Sequence, residues 1–189
     1  MKQELLVQAH SQAGDWEREE TKVLQILLSM EEKEFIFKST GAEQTMGLGN
    51  LLGTLLEPGE VIALVGELGA GKTTLVKGIA QGLGVADKRV VKSPTFSLIH
   101  RYEGRIPIYH FDAYRLKDTR EMFDIGCDEV IYGTGVTIIE WADKVLPCLP
   151  ERYMQITFTI VSNNERSLKI KHLGRHYHKL LQSIKINHK

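Results

Sequence analysis

Gly66-Glu67-Leu68-Gly69-Ala70-Gly71-Lys72-Thr73 places glycine, glycine, lysine and a hydroxyl at the fixed positions of the pattern GxxxxGK[ST]. These residue types suit phosphate chemistry. Glycines let the backbone turn tightly enough for successive N–H groups to face one anion. A helix opening at Lys72 adds its positive N-terminal end. Lys72 is placed to reach the β- and γ-phosphates of a nucleotide, and Thr73 offers a hydroxyl to Mg²⁺. The expected ATP cradle is therefore Gly66, Glu67, Leu68, Gly69, Ala70, Gly71, Lys72, Thr73 and Thr74. The guanine-reading NKxD motif and DxxG are absent, which argues against GTP.

Phosphoryl transfer also needs a metal held from the far side and an oriented attacking group. Such groups sit at the C-terminal ends of strands beside the phosphate loop. Glu140 directly follows the apolar run Val136-Thr137-Ile138-Ile139, and is expected to hold Mg²⁺ or position water. Asp112 ends Ile108-Tyr109-His110-Phe111 and is expected to act on the water. His110 alternates with Asp112. It reads as a satisfied structural histidine, with a place in the site as the alternative. Trp141 either walls the site or belongs to the core. Ser93-Pro94-Thr95 is a stiffened loop after the phosphate-loop helix, where Ser93 or Thr95 would sense the γ-phosphate.

The elements that must position these groups alternate between α and β. Val61-Ile62-Ala63-Leu64-Val65 is a continuous apolar run, the pattern of a buried parallel strand. The helix after the loop runs from about Lys72 to Gly82, with Gly84 as its stop. Upstream, Glu34-Phe35-Ile36-Phe37-Lys38 alternates as a short strand. Ser39 or Thr40 is expected to cap a helix over Glu43 to Leu55, with Glu43 completing a capping box. Pro58-Gly59 marks a turn. Strand material is expected at Val90 to Lys92 and Phe96 to Tyr102, the latter returning through Ile106 to Phe111 as a hairpin. Lys117 to Phe123 and Cys127 to Ile131 read as helical, and Val136 to Ile139 as a second buried strand. Tyr153 to Val161 and Leu168 to Lys171 form a hairpin about Asn163-Asn164. His176 to Ile184 reads as a terminal helix. The expected fold is α/β, a P-loop NTPase-like three-layer sandwich with a mixed central sheet flanked by helices.

Residues 1–33 read as a separate N-terminal extension with one amphipathic helix through Val23, Leu24, Ile26, Leu27 and Leu28. Residues 34–189 form the P-loop ATPase domain. The 189-residue chain carries 24 basic and 24 acidic side chains. That neutrality argues against binding nucleic acid by bulk electrostatics. No apolar run is long enough for a membrane span, and the N-terminus lacks signal-peptide features, so a cytoplasmic protein is expected. Cys127 and Cys148 read as reduced thiols. His172, His176, His178 and His188 read as a solvated tail rather than a metal site.

Four segments together resemble the TsaE (YjeE) ATPases of bacterial tRNA threonylcarbamoyladenosine biosynthesis. They are the phosphate loop through Thr74, Lys92-Ser93-Pro94-Thr95-Phe96, Tyr109-His110-Phe111-Asp112-Ala113-Tyr114-Arg115-Leu116, and Ile139-Glu140-Trp141. The phosphate loop alone is generic; the second and third segments are specific. The resemblance spans about Phe35 to Lys171. It implies binding of ATP and Mg²⁺, and work with the partners TsaB and TsaD, with tRNA reached only through that complex. It implies that hydrolysis resets the complex between cycles. It further implies that Ser93 and Thr95 form a switch-like loop, that Lys72, Thr95, Asp112 and Glu140 are catalytic, and that Thr73 and Glu140 hold the metal. The adenine side is implied near Ala42 to Thr45 and Arg166. A P-loop small-molecule kinase and a non-catalytic ATP-gated interaction module are the competing readings. No Arg-rich lid segment supports the first.

Overall fold

A computed structural model describes residues 34–172. The extension at 1–33 and the helix expected at 176–184 lie outside the described residues, as does the histidine-rich tail beyond position 172. The strands are β1 (Glu34–Ser39), β2 (Val61–Val65), β3 (Ile99–Tyr102), β4 (Ile108–Asp112), β5 (Val136–Glu140), β6 (Met154–Ile160) and β7 (Arg166–His172). The α-helices are α1 (Ala42–Leu55), α2 (Lys72–Gly82), α3 (Arg120–Asp124) and α4 (Cys127–Ile131).

The strands form one sheet in the order β1-β7-β6-β2-β5-β4-β3. The four central strands, β6-β2-β5-β4, run parallel. The antiparallel hairpin β6–β7 extends the sheet to antiparallel β1 on one side, and β3 closes the other. Central strands must be apolar on both faces, and β2 and β5 are. Ile62 and Leu64 of β2 face a core with α1 and α2. Val61 and Ala63 face the opposite core, with Met122 of α3 and Cys127 and Ile131 of α4. Two cores on the two faces of one sheet make the expected three-layer α/β sandwich.

Helices α1 and α2 pack backbone to backbone. A Cβ added at Gly78 would lie 2.1 Å from the Met46 carbonyl oxygen, and one at Gly82 2.1 Å from that of Asn50. From the other side, Gly49 would meet Leu75 O at 2.4 Å and Gly53 would meet Ile79 O at 2.2 Å. Glycines four apart on each helix therefore form the seam. This contact fixes α2, whose first turn carries Lys72 and Thr73.

Three local expectations need correction. No side-chain cap forms at the N-cap residue, Gly41. Ser39 Oγ instead donates to Gly41 O at 2.8 Å and pairs with Thr45 Oγ1 at 2.8 Å. The reach-back half of the motif belongs to Gln44, whose Oε1 accepts from Thr40 N at 2.9 Å, not to Glu43. Val90 to Lys92 has no strand neighbour; a 3-10 turn over Lys88–Val90 leads into irregular chain. The strand expected from Phe96 begins only at Ile99, because residues 95–97 turn and Leu98 takes a positive φ of 65°.

Candidate functional site

Parallel β2, β5 and β4 end at one edge of the sheet, and their register levels the ends. Leu64 pairs with Glu140, and Glu140 pairs with Asp112. Gly66 to Gly71 then loops over this edge into α2. Gly66 (φ 145°) and Gly71 (φ 102°) hold left-handed backbone that an L side chain rarely adopts, and a Cβ on Gly66 would lie 2.9 Å from Phe158.

A cleft of about 350 Å³ opens at this edge, lined by the phosphate loop and by Ser93, Thr95, Asp112, Tyr114, Glu140 and Trp141. Lys72 is buried at its floor. Its ammonium donates to Gly66 O at 2.6 Å and Glu67 O at 2.8 Å, and lies 3.9 Å from the Trp141 ring centroid. Burial pushes the Lys72 pKa down, opposed by the negative charges of Glu140, Asp112 and Asp143. An incoming anion acts in the sense of those carboxylates and favours the charged form.

Thr73 Oγ1 donates to Glu140 Oε1 at 2.7 Å. The same oxygen lies 2.9 Å from His110 Nε2. A hydroxyl beside a carboxylate is a hard-oxygen pair of the kind Mg²⁺ takes alongside phosphate and water. Among the described residues no group of three or more His, Cys, Asp or Glu assembles a protein-only cage. The donor set fits a cation brought largely by nucleotide phosphates.

Asp112 anchors the loop of Ser93 and Thr95. Its Oδ2 accepts from Thr95 Oγ1 at 2.6 Å and from Ser93 Oγ, and the two hydroxyls lie 2.8 Å apart. Oδ1 accepts from Tyr114 N at 2.9 Å. Two further anchors shape the loop. Tyr102 Oη donates to Lys92 O at 3.0 Å and accepts from Lys92 N at 3.3 Å. Leu98, in its left-handed conformation, accepts from Asp112 N at 3.0 Å and donates its own N–H to Pro94 O at 2.7 Å.

A second hollow, of about 200 Å³, lies on the other side of the phosphate loop, between Gly41, Ala42 and Thr45 of the α1 entry and Asn163, Asn164 and Arg166 of the β6–β7 hairpin. The Arg166 guanidinium donates to Ser162 O, Asn163 O and Glu165 O, and reaches Gly69 O at 3.4 Å. It ties the hairpin to the phosphate loop.

The fold thus gathers Lys72, Thr73, Ser93, Thr95, Asp112 and Glu140 around one cleft, and places Ala42, Thr45 and Arg166 at the adjoining hollow. His110, wholly buried, does not line the cleft itself but lies against Glu140, which does. Its alternation with Asp112 was the signal for this placement, because residues two apart on a strand share a face. Trp141, left open between wall and core, lines the cleft with a left-handed backbone (φ 59°) and stacks on Tyr114 at 4.9 Å. Tyr102 escaped the sequence reading altogether, since nothing in a strand tyrosine indicates that its hydroxyl holds a loop ten residues upstream. Cys127 and Cys148 are buried free thiols.

A family model described as threonylcarbamoyl adenosine biosynthesis protein TsaE matches residues 39–168, more than half of the chain. The tRNA threonylcarbamoyladenosine biosynthesis protein TsaE of Treponema pallidum is 43% identical over 132 residues, covering 70% of this chain and 96% of that protein. The Bacillus subtilis protein of the same name is 38% identical over 153 residues, covering 80% and 94%. The crystal structure of Bacillus subtilis YdiB superposes with a TM-score of 0.72 at 32% identity, over 84% of this chain and 98% of that one.

Proposed function

Because the chain belongs to the TsaE family of threonylcarbamoyl adenosine biosynthesis proteins, we propose that it is the Mg²⁺-dependent ATPase of that tRNA modification, acting as a switch on a TsaB–TsaD complex. The observation that carries the reading is the convergence of three systems on one cleft. These are the phosphate loop, the Thr73–Glu140 pair and the Asp112–Ser93–Thr95 cluster.

The residues divide the work. Phosphate-loop amides and Lys72 bind the β- and γ-phosphates, the lysine exchanging its bonds to Gly66 O and Glu67 O for phosphate oxygens. Ala42, Thr45 and Arg166 border the base. Thr73 and Glu140 would hold Mg²⁺, which would neutralise developing phosphate charge when bound. Asp112 orients the attacking water once Ser93 and Thr95 leave its carboxylate for the γ-phosphate side. That exchange links nucleotide state to the loop that bears Phe96, and so to the outer surface.

The rim supports a partner-facing role. Leu68, which lines the cleft, is 74% exposed, and Phe96, next in sequence to the lining residue Thr95, is 87% exposed, with Arg115 4.8 Å over its ring. Exposed apolar side chains gathered beside a site suit a protein partner that reads its state. tRNA is then reached through TsaB–TsaD rather than by this neutral chain directly.

ATP binding by calorimetry tests the site. Lys72→Ala removes a charge-assisted phosphate contact and is expected to weaken ATP on the order of 10- to 100-fold. Unchanged affinity in a folded variant would overturn the assignment.

A further inference from the structure

His110 lies wholly buried in β4 between Tyr109 and the equally buried Phe111. Its Nδ1 has no hydrogen-bond partner, although it is sealed from solvent. Leaving a buried polar atom unpaired is unfavourable, and an apolar side chain of similar volume avoids that cost. Packing therefore gives no reason for a histidine here. The reason on offer is the other ring nitrogen, 2.9 Å from Glu140 Oε1.

The surroundings assign the tautomer. A proton on Nδ1 would be a buried donor with nothing to accept it, while Nε2 faces a carboxylate oxygen. Nε2 thus carries the proton that is donated to Glu140. Oε1 then accepts two hydrogen bonds from two different elements, one from His110 on β4 and one from Thr73 on α2. Two donors on one oxygen fix the plane of the carboxylate. The other oxygen, Oε2, makes no hydrogen bond among the described residues, and Glu140 lines the cleft.

We propose that His110 is a positioning residue that holds Glu140 by Oε1 so that Oε2 faces the cation side of the nucleotide. The proposal rests on the reading of Glu140 given above. It explains why two donors are present. Were Thr73 to turn its hydroxyl to a bound cation, its own bond to Glu140 would weaken. The histidine, packed without exposure in the sheet, then keeps the carboxylate from rotating. Outer partners of this kind set metal affinity without touching metal or substrate.

The test compares His110→Gln with His110→Asn. Glutamine can place its amide N–H where Nε2–H sits, whereas asparagine reaches only to the Nδ1 position. ATP affinity is measured by calorimetry with Mg²⁺ and with excess chelator, and the ratio of the two is the readout. The wild-type chain and the Gln variant should share a ratio to within about 3-fold. The Asn variant should lose roughly 10- to 100-fold of the Mg²⁺ benefit while keeping its affinity in chelator. A wild-type ratio in the Asn variant would overturn the proposal. So would an equal loss with and without Mg²⁺, which marks a merely structural role, or an equal loss in Gln and Asn, which tracks the ring rather than its donor.

Glu140→Gln separates the two levels of failure. If it leaves the ratio unchanged, the assignment of Glu140 itself is wrong. If it abolishes the ratio while His110→Asn does not, the positioning role alone fails. Nitrogen NMR of the unmodified chain needs no variant: an Nε2-protonated His110 is expected, and an Nδ1-protonated ring contradicts the geometry.

Discussion

Replacing Gly78 with alanine sets two well-calibrated effects against each other. Helix propensity favours alanine over glycine by about 1 kcal/mol in a helix interior. The packing of α2 on α1 opposes it. The new methyl carbon would start 2.1 Å from Met46 O and 3.0 Å from Asn50 N, both backbone atoms that no rotamer change can move aside. Reaching an ordinary contact requires the two helices to part by about 1 Å along a seam that three other glycines also hold closed. Overpacking of this kind costs about 3 kcal/mol at the upper end of its usual range. The net effect is a loss of about 2 kcal/mol, which for a chain of this size lowers the thermal midpoint by about 4–8 °C. Gly47 provides the internal control. It lies on the exposed side of α1, and a Cβ there meets nothing within 4 Å. Gly47→Ala should raise the midpoint by about 1–4 °C through propensity alone. Scanning calorimetry on the two variants decides the matter. If both shift in the same direction, or if Gly78→Ala is neutral, the reasoning from backbone contact is refuted.

Asp112→Ala should leave ATP affinity within a few-fold and reduce turnover by about 100-fold or more, as for loss of a group that orients the attacking water; abolished binding in a folded variant would contradict that role. Tyr102→Phe keeps the ring but deletes both bonds to Lys92, worth about 1–3 kcal/mol together. Amide exchange across residues 92–98 should then quicken roughly 5- to 100-fold, and unchanged protection there would show that the hydroxyl does not hold the loop. Burial, with a smaller contribution from Cys148, pushes the Cys127 thiol up from 9.0 to about 12. The raised value means that the folded chain retains the proton, so the contribution to stability is complete below the ordinary value and is lost as pH rises from 9.0 toward about 12. Denaturant midpoints across that window should fall more steeply in the wild-type chain than in Cys127→Ala; parallel curves would deny the shift.

The parts of the site that were legible in the sequence are those whose chemistry is written in contiguous residues. Val61 to Thr73 reads as buried strand, phosphate loop and helix because burial on both faces, tight turning and phosphate contact each constrain residue type locally. The acids at the ends of β4 and β5 were legible for a similar reason, since a carboxylate closing an apolar strand stands out. What escaped depends on contacts between distant residues. Gly49, Gly53, Gly78 and Gly82 look like helix-weakening residues until α1 and α2 are seen to touch through them. The strand expected at Val90 to Lys92 has apolar β-branched residues, but the Lys92 N–H and C=O bond the Tyr102 hydroxyl instead of a neighbouring strand. His110 is indistinguishable from a core histidine until Glu140 is found opposite its Nε2. The cap of α1 was misplaced because Gln44, one residue past the expected Glu43, reaches back instead.

The central claim is that the cleft hydrolyses ATP as a switch read by partner proteins. It is tested most directly by measuring Mg²⁺-dependent ATP turnover of the full chain alone and after addition of TsaB and TsaD, with Lys72→Ala alongside. The account predicts that turnover rises when the partners are added and that Lys72→Ala abolishes the rise. Unchanged turnover with partners that respond to another TsaE would contradict it.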